Sequence, residues 1–411
     1  MGYRNKVIAG FSWQIGLKFG LAILALIKIF FLSRLLSPTE FGVFALIAIA
    51  LGISEAVTQT GINITILQVV ADNQRLNRLI NTAWLVAMVR GLLIALILFM
   101  IGFLLSLFFS NPDLIRLTAL ASLVPVIKGF INPSIVLWQK NLQFHNDTYF
   151  HLTKQVVEVV STVVLALVWQ SVEVFIWGMI IAAGFEAALS WVTAKPRPKL
   201  SYDNSSLQLI LQNAKGLSIT AALSYLSENL DDLILGKTLG TYQLGLYHNA
   251  YTLTHKLNYE PTKAANYSLM AIYTKLTVEK TRLWQAFRQA FGLITLGLGA
   301  ITLLMIFLRQ TIVDLALGIT WQAVVPLIPW LALAGLAQSL VALIYTLQIA
   351  QKKYRLVNWH LLATVLILSI SLYWTSVTSG ILMAVIALAV TRWFLLIPLI
   401  LFTIKHKKTG I

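Results

Sequence analysis

Ionisable side chains stand at helical spacing inside long apolar runs at several places in this 411-residue chain. Glu228, Asp231 and Asp232 lie at i, i+3 and i+4, so all three fall on one side of a helix. Lys256, Glu260 and Lys263, at i, i+4 and i+7, draw a charged stripe along another, and Ser54, Glu55, Thr58, Gln59 and Asn63 draw a polar one. Lys18, Lys28, Arg90, Lys128, Glu158, Glu186 and Arg392 stand singly in apolar surroundings. An ionised group at the centre of a membrane helix costs about 3 kcal/mol or more, so those retained are expected to face the interior of a helix bundle. Three carboxylates on one turn resist full ionisation together, and a bound proton or sodium ion relieves the repulsion. Glu228, Asp231 and Asp232 are therefore the candidate coupling-ion site, with H+ or Na+ as the ion. Lys18, Lys128 and Lys263 are expected deep in their helices without a neighbour of opposite sign. The alternatives are structural: Lys256 and Glu260 as a neutralising pair that leaves Lys263 over, Lys28 snorkelling outward, Arg392 in an interhelical contact, and Glu158 in packing. No catalytic residue, metal site or cofactor is expected. No HExxH spacing exists, and in LGKT (235–238) the upstream glycine that a phosphate-binding loop requires is replaced by Asp231.

The elements that carry these groups must be membrane helices. The chain is 58% hydrophobic and only 11% charged, against about a quarter charged in soluble domains, which makes it a polytopic all-α membrane protein. Twelve apolar spans are expected, at roughly 9–34, 41–70, 82–109, 114–138, 152–170, 174–194, 216–237, 244–272, 288–309, 322–349, 356–375 and 379–404. The net charge of +16 is concentrated in alternate connections. Cations gather at Arg75 and Arg78, at Lys195 to Lys215, at Lys275 to Arg288 and at Lys352 to Arg355, whereas SPTE, NPD, QSVE, GTYQ and TSVTSG are nearly free of them. That alternation puts both termini in the cytoplasm and assigns the positive charge to topology and anionic lipid rather than to nucleic acid. The proline-broken polar stretch near mid-chain divides a six-helix lobe at 1–194 from another at 216–411, with 195–215 as a cytoplasmic linker. An internal echo supports the division. Laying Arg34 on Lys237 brings Leu36 onto Leu239, Gly42 onto Gly245 and Phe44 onto Tyr247 without a gap, as two parallel repeats would.

Four stretches, in order, carry a resemblance: LSRLLSPTEFGVFALIAIA, LWQKNLQFHNDTYFHLTKQVVEVVSTVVLALV, LILGKTLGTYQLGLYHNAYTL and LALGITWQAVVPLIPWLALAGL. They resemble the Wzx-type and polysaccharide-transporter flippases of the multidrug/oligosaccharidyl-lipid/polysaccharide exporter superfamily, over most of the chain. The resemblance implies a V-shaped pair of six-helix lobes working by alternating access. It implies an undecaprenyl-diphosphate-linked oligosaccharide as cargo, moved from the cytoplasmic to the periplasmic leaflet of the bacterial inner membrane for O-antigen, capsule or exopolysaccharide synthesis. Membrane lipids, a polysaccharide polymerase and glycosyltransferases would be partners, and nucleic acid would not. Some members have fourteen helices; with twelve expected here, a lipid-tail groove built by an extra pair is not carried over. Such a cargo is a strong anion whose hydration a cavity must replace with fixed cations, which makes Lys18, Lys128, Lys256, Lys263, Arg90 and Arg392 the substrate-binding candidates. Tyr225, Tyr259 and Tyr267 are candidates to stack on sugar faces. Two alternatives remain: a cation-coupled multidrug exporter of the same superfamily, and a membrane polysaccharide polymerase or ligase.

Overall fold

A computed structural model describes residues 3–58, 61–69, 73–214 and 217–408. Among these, every regular element is helical. In chain order they are α1 (Tyr3–Leu35), α2 (Pro38–Val57), α3 (Ile62–Gln68), α4 (Asn73–Phe109), α5 (Asp113–Ala121), α6 (Leu123–Lys128), α7 (Val136–Lys140), α8 (Phe144–Val168), α9 (Glu173–Thr193), α10 (Asn204–Ala214), α11 (Leu217–Leu276), α12 (Lys280–Phe307), α13 (Arg309–Ala316), α14 (Ile328–Ala350) and α15 (Tyr354–Lys408).

Eight described helices are long and apolar enough to cross a membrane, and nine if the bent pair Asp113–Lys128 and Pro133–Lys140 is one span. The expected twelve is thus not reached by length and apolarity alone, for two reasons. α15 runs through both of the last two expected spans, but Gly380 interrupts it at φ 79°, in the left-handed region that a glycine tolerates. α11 covers the seventh and eighth and is interrupted likewise at Gly240, φ 83°. Its charged residues keep it out of the apolar set, and those residues are the ones singled out above.

Two compact units are distinguished. The first comprises Met1–Leu36 and Val43–Asn229, the second Ser37–Gly42 and Leu230–Ile411. The unit boundary on α11 therefore lies C-terminal to the 195–215 linker. In the first unit, the bend between α6 and α7 is held by Asn132, which is fully buried. Its side chain accepts from Ser134 N (3.0 Å) and donates to Ala194 O (3.1 Å), so the broken backbone finds partners away from water. In the second unit, Asn258 is equally buried and donates to Thr302 Oγ1 (3.2 Å) and Ala332 O (2.9 Å), tying α11 to α12 and α14. Its own carbonyl, just before Pro261, accepts from Thr262 and Ser339 hydroxyls, both at 3.1 Å.

The echo in the sequence is a contact in space. α2 opens with Ser37 as cap, Pro38 at the first helical position and Glu40 reaching back to Ser37 N (2.6 Å) and Oγ (2.9 Å), a capping box written in SPTE. Within the second unit this first turn meets α11. A Cβ on Gly42 would strike the carbonyl oxygen of Thr241, and one on Gly245 would strike that of Pro38. Pro38 and Thr241 correspond under the same ungapped alignment that pairs the two glycines. The contact is reciprocal, each copy presenting the same glycine to the same carbonyl of the other.

Candidate functional site

In the first unit, ionisable groups are drawn into pairs and helix ends. Lys28 on α1 donates to Glu158 on α8 at 2.8 Å, and Lys154 holds the other carboxylate oxygen at 3.1 Å. The Lys28 ammonium lies 6.0 Å and 5.8 Å from the centres of the Phe44 and Phe175 rings, which stack on one another at 4.2 Å. Lys28 therefore does not snorkel outward: a carboxylate is in reach, and pairing removes the cost of a lone charge. Lys128 pairs with Glu55 at 3.2 Å, contrary to the expectation that it lacks an opposite charge. Arg90 donates to the carbonyls of Thr58 (2.8 Å) and Glu55 (3.1 Å), capping the C-terminal end of α2. Lys140 does the same for α3 through Ile66 O and Val69 O. Lys128, Lys154, His151 and Glu186 line a cavity of about 280 Å³. Glu186 is buried, with no hydrogen bond or ion pair among the described residues. Lys18 is exposed on α1 and has none either. Gln59 lies outside the described residues.

In the second unit, one polar centre gathers four helical segments. Asp231 accepts from the Tyr247 hydroxyl and lies 3.9 Å from the guanidinium of Arg392. Arg392 donates to Gln338 on α14 (2.9 Å) and sits over the Tyr251 ring at 5.9 Å. Asp232 faces His248 Nδ1 at 3.3 Å. Both aspartates are buried, whereas Glu228, one turn earlier, is exposed, so two of the three expected acids share the buried centre. From this centre a ladder descends α11. Tyr247, Tyr251, His255 and Tyr259 follow at successive ring separations of 5.7, 4.9 and 4.6 Å, and the Lys263 ammonium closes it 4.7 Å over Tyr259. Glu260 lies 3.8 Å from Lys263 and 3.9 Å from His255, rather than beside Lys256.

The expected cations thus separate into kinds. Arg392, Lys256 and Lys263 share α11 and its neighbours in the second unit; Arg392 is locked to an acid, and Lys263 is partly exposed beside an aromatic ring. Lys18, Lys128 and Arg90 belong to the first unit, where only Lys128 lines the cavity. Tyr225 packs within the first unit, its hydroxyl 3.3 Å from Ala48 O, and the Tyr267 side chain lies outside the described ones. The ladder itself was missed as a unit. Its signal is plain in the sequence, a ring or cation at every fourth residue from Tyr247 to Lys263. Gln338 and His248 had no such signal, since only tertiary packing brings them to the aspartates.

The fold and these paired intramembrane charges define a multi-pass all-α membrane protein. Its architecture is similar to the inward-facing conformation of a multidrug resistance MATE family transporter of the MOP superfamily (TM-score 0.65, 13% identity, 95% of this chain and 96% of that one). It is also similar to lipid II flippase MurJ in an inward closed conformation (TM-score 0.67, 12% identity, 96% and 87%). The polysaccharide biosynthesis protein family model matches residues 31–326, and the chain belongs to that family. Relatives include the lipopolysaccharide biosynthesis protein WzxC of Escherichia coli (strain K12), 22% identical over 82% of this chain and 69% of that protein. The teichuronic acid biosynthesis protein TuaB of Bacillus subtilis (strain 168) is 17% identical over 82% and 70%. The resemblance to Wzx-type polysaccharide transporters is therefore borne out, and membership in a family of transporters sets the polymerase or ligase alternative aside.

Proposed function

We propose that this protein is a flippase that carries an undecaprenyl-diphosphate-linked oligosaccharide repeat unit from the cytoplasmic to the periplasmic leaflet by alternating access between two lobes. It does so in a bacterial inner membrane, with both termini in the cytoplasm, and hands its cargo to a polysaccharide polymerase after glycosyltransferases have built it. The observation that carries the reading is the ladder on α11, where aromatic rings suited to sugar faces run into a cation suited to a phosphate. Family membership and the relatives' roles in lipopolysaccharide and teichuronic acid synthesis point the same way. Lys18, Lys128 and Lys256 supply further positive charge, and Arg90 and Arg392 act on the cargo indirectly by holding the helices. Asp231 and Asp232 are the coupling-ion site for H+ or Na+, with Arg392 as the internal counter-ion that a bound ion displaces.

Deleting the gene tests this. Lipid-linked repeat units are expected to accumulate on the cytoplasmic face, and wild-type protein to clear them. Lys263→Ala with Tyr259→Ala, present at normal membrane levels, is expected to cut clearance on the order of tenfold or more. Repeat units that reach the periplasmic face at the normal rate without the gene defeat the proposal. The buried acid pair favours the alternative, a cation-coupled multidrug exporter; that reading stands if deletion instead raises drug sensitivity and leaves repeat units unaffected.

A further inference from the structure

A cavity in the second unit has neither the acid pair nor the ladder among its lining residues. It holds about 540 Å³, within the roughly 300–1,000 Å³ usual for small-molecule sites. Its walls come from Thr277 before α12, the first nine residues of α12, the end of α14, the turn after it and the last part of α15. Lys280, Arg288, Lys352 and Lys353 line it, and no lining residue is acidic. The nearest acid in sequence, Glu279, is turned to Arg282 at 2.7 Å, and neither lines the cavity. The turn is built to hold its lysines. Lys352 adopts φ 60°, a left-handed conformation that costs a non-glycine residue about 1 kcal/mol or more, and its neighbour's N–H is tied to Gln348 O at 2.9 Å. Burial, with the Lys280 ammonium nearby, pushes the Lys353 ammonium below its usual pKa. An anion in the cavity would reverse that penalty. The α12 N-terminus, with the positive end of its helix dipole, lies in the same wall, and Trp284 supplies an aromatic surface of the kind found at membrane–water boundaries.

We infer that this basic cavity is a binding site for a phosphate-bearing headgroup presented at the membrane surface, separate from the transport path and independent of which cargo is carried. Four lining cations and no acidic lining residue suit a phosphate mono- or diester rather than a zwitterionic headgroup, whose own cation they would repel. The source can be an anionic lipid or a soluble phosphate.

The test uses the full chain in detergent. Binding of short-chain phosphatidylglycerol, short-chain phosphatidylcholine and inorganic phosphate is measured by native mass spectrometry. Phosphatidylglycerol is expected to bind and phosphatidylcholine not to. Lys352→Gln with Lys353→Gln is expected to weaken binding on the order of tenfold or more, and Arg282→Gln, which removes a charge outside the cavity, to leave it unchanged. If the double variant does not fold, Arg288→Gln alone serves, with a smaller loss. Binding of inorganic phosphate alone, lost in the same variants, upholds a phosphate site and assigns it to a soluble ligand. Equal binding of both lipids, or equal losses in Arg282→Gln and the cavity variants, overturns the inference.

Discussion

Lys28 and Asp231 occupy the same place in the two copies of the internal repeat, and they carry opposite charge. In the first unit the cation on the first helix is answered by Glu158, with Phe44 beside it. In the second the anion is answered by Arg392, and Tyr247, at the position of Phe44, supplies a hydroxyl. The duplicated backbone thus keeps one buried ion pair per copy while reversing its sign. The difference teaches that helix position alone fixes where a charge sits, while the facing helix decides which charge is tolerated. It also separates two uses. The first pair is shared with Lys154 and closes on itself, whereas Asp231 is flanked by a second acid, Asp232, whose own partner is the His248 ring.

The comparison can be broken most severely at Arg392. Arg392→Leu leaves buried Asp231 without its counter-charge, beside Asp232, and is expected to lower stability by about 3–5 kcal/mol. Adding Asp231→Asn should recover much of it, and thermal unfolding of the single and double variants in detergent checks both. Lys28→Met removes the corresponding cation but leaves Lys154 on Glu158, so a smaller loss of about 1.5–3 kcal/mol is expected in the same assay. Losses of equal size would mean that the two centres are equivalent after all. Gly245→Ala forces a Cβ onto the carbonyl of Pro38 and should cost about 1–3 kcal/mol, as should Gly42→Ala against Thr241. Because both disturb one contact, the double variant should lose less than the two single losses added together. The smallest effect lies at Asp203, outside the spans. Hydrogen bonds from Ser205 and Ser206 hold its carboxyl down to about 2 and cap α10. A depressed carboxyl stabilises fully above its ordinary range and releases that contribution only as pH falls toward 2. Amide exchange in the first turn of α10 should accelerate only there, and Asp203→Asn should remove the pH dependence.

Much of this was legible in the sequence because a membrane helix must declare itself over some twenty residues, and because buried charge in such a run is conspicuous. The repeat was legible through a glycine whose side-chain position is filled by backbone. What stayed hidden was pairing across the fold. Lys128 looked solitary because Glu55 is 73 positions away, and Arg392 looked like a ligand for cargo because nothing near it in sequence reveals Asp231. The ladder is hidden for a different reason: it shares only Lys263 with the charged set Lys256, Glu260 and Lys263, and its other members are rings that in a membrane helix pass for ordinary packing.

Where Pro38 and Gly42 meet Thr241 and Gly245, each surface is its own complement. The geometry is that of an isologous interface, in which the same patch meets itself as the subunits of a symmetric dimer do. A side chain at either glycine would displace the other copy's backbone, so the two positions are bound to one another and a change at one is felt at both.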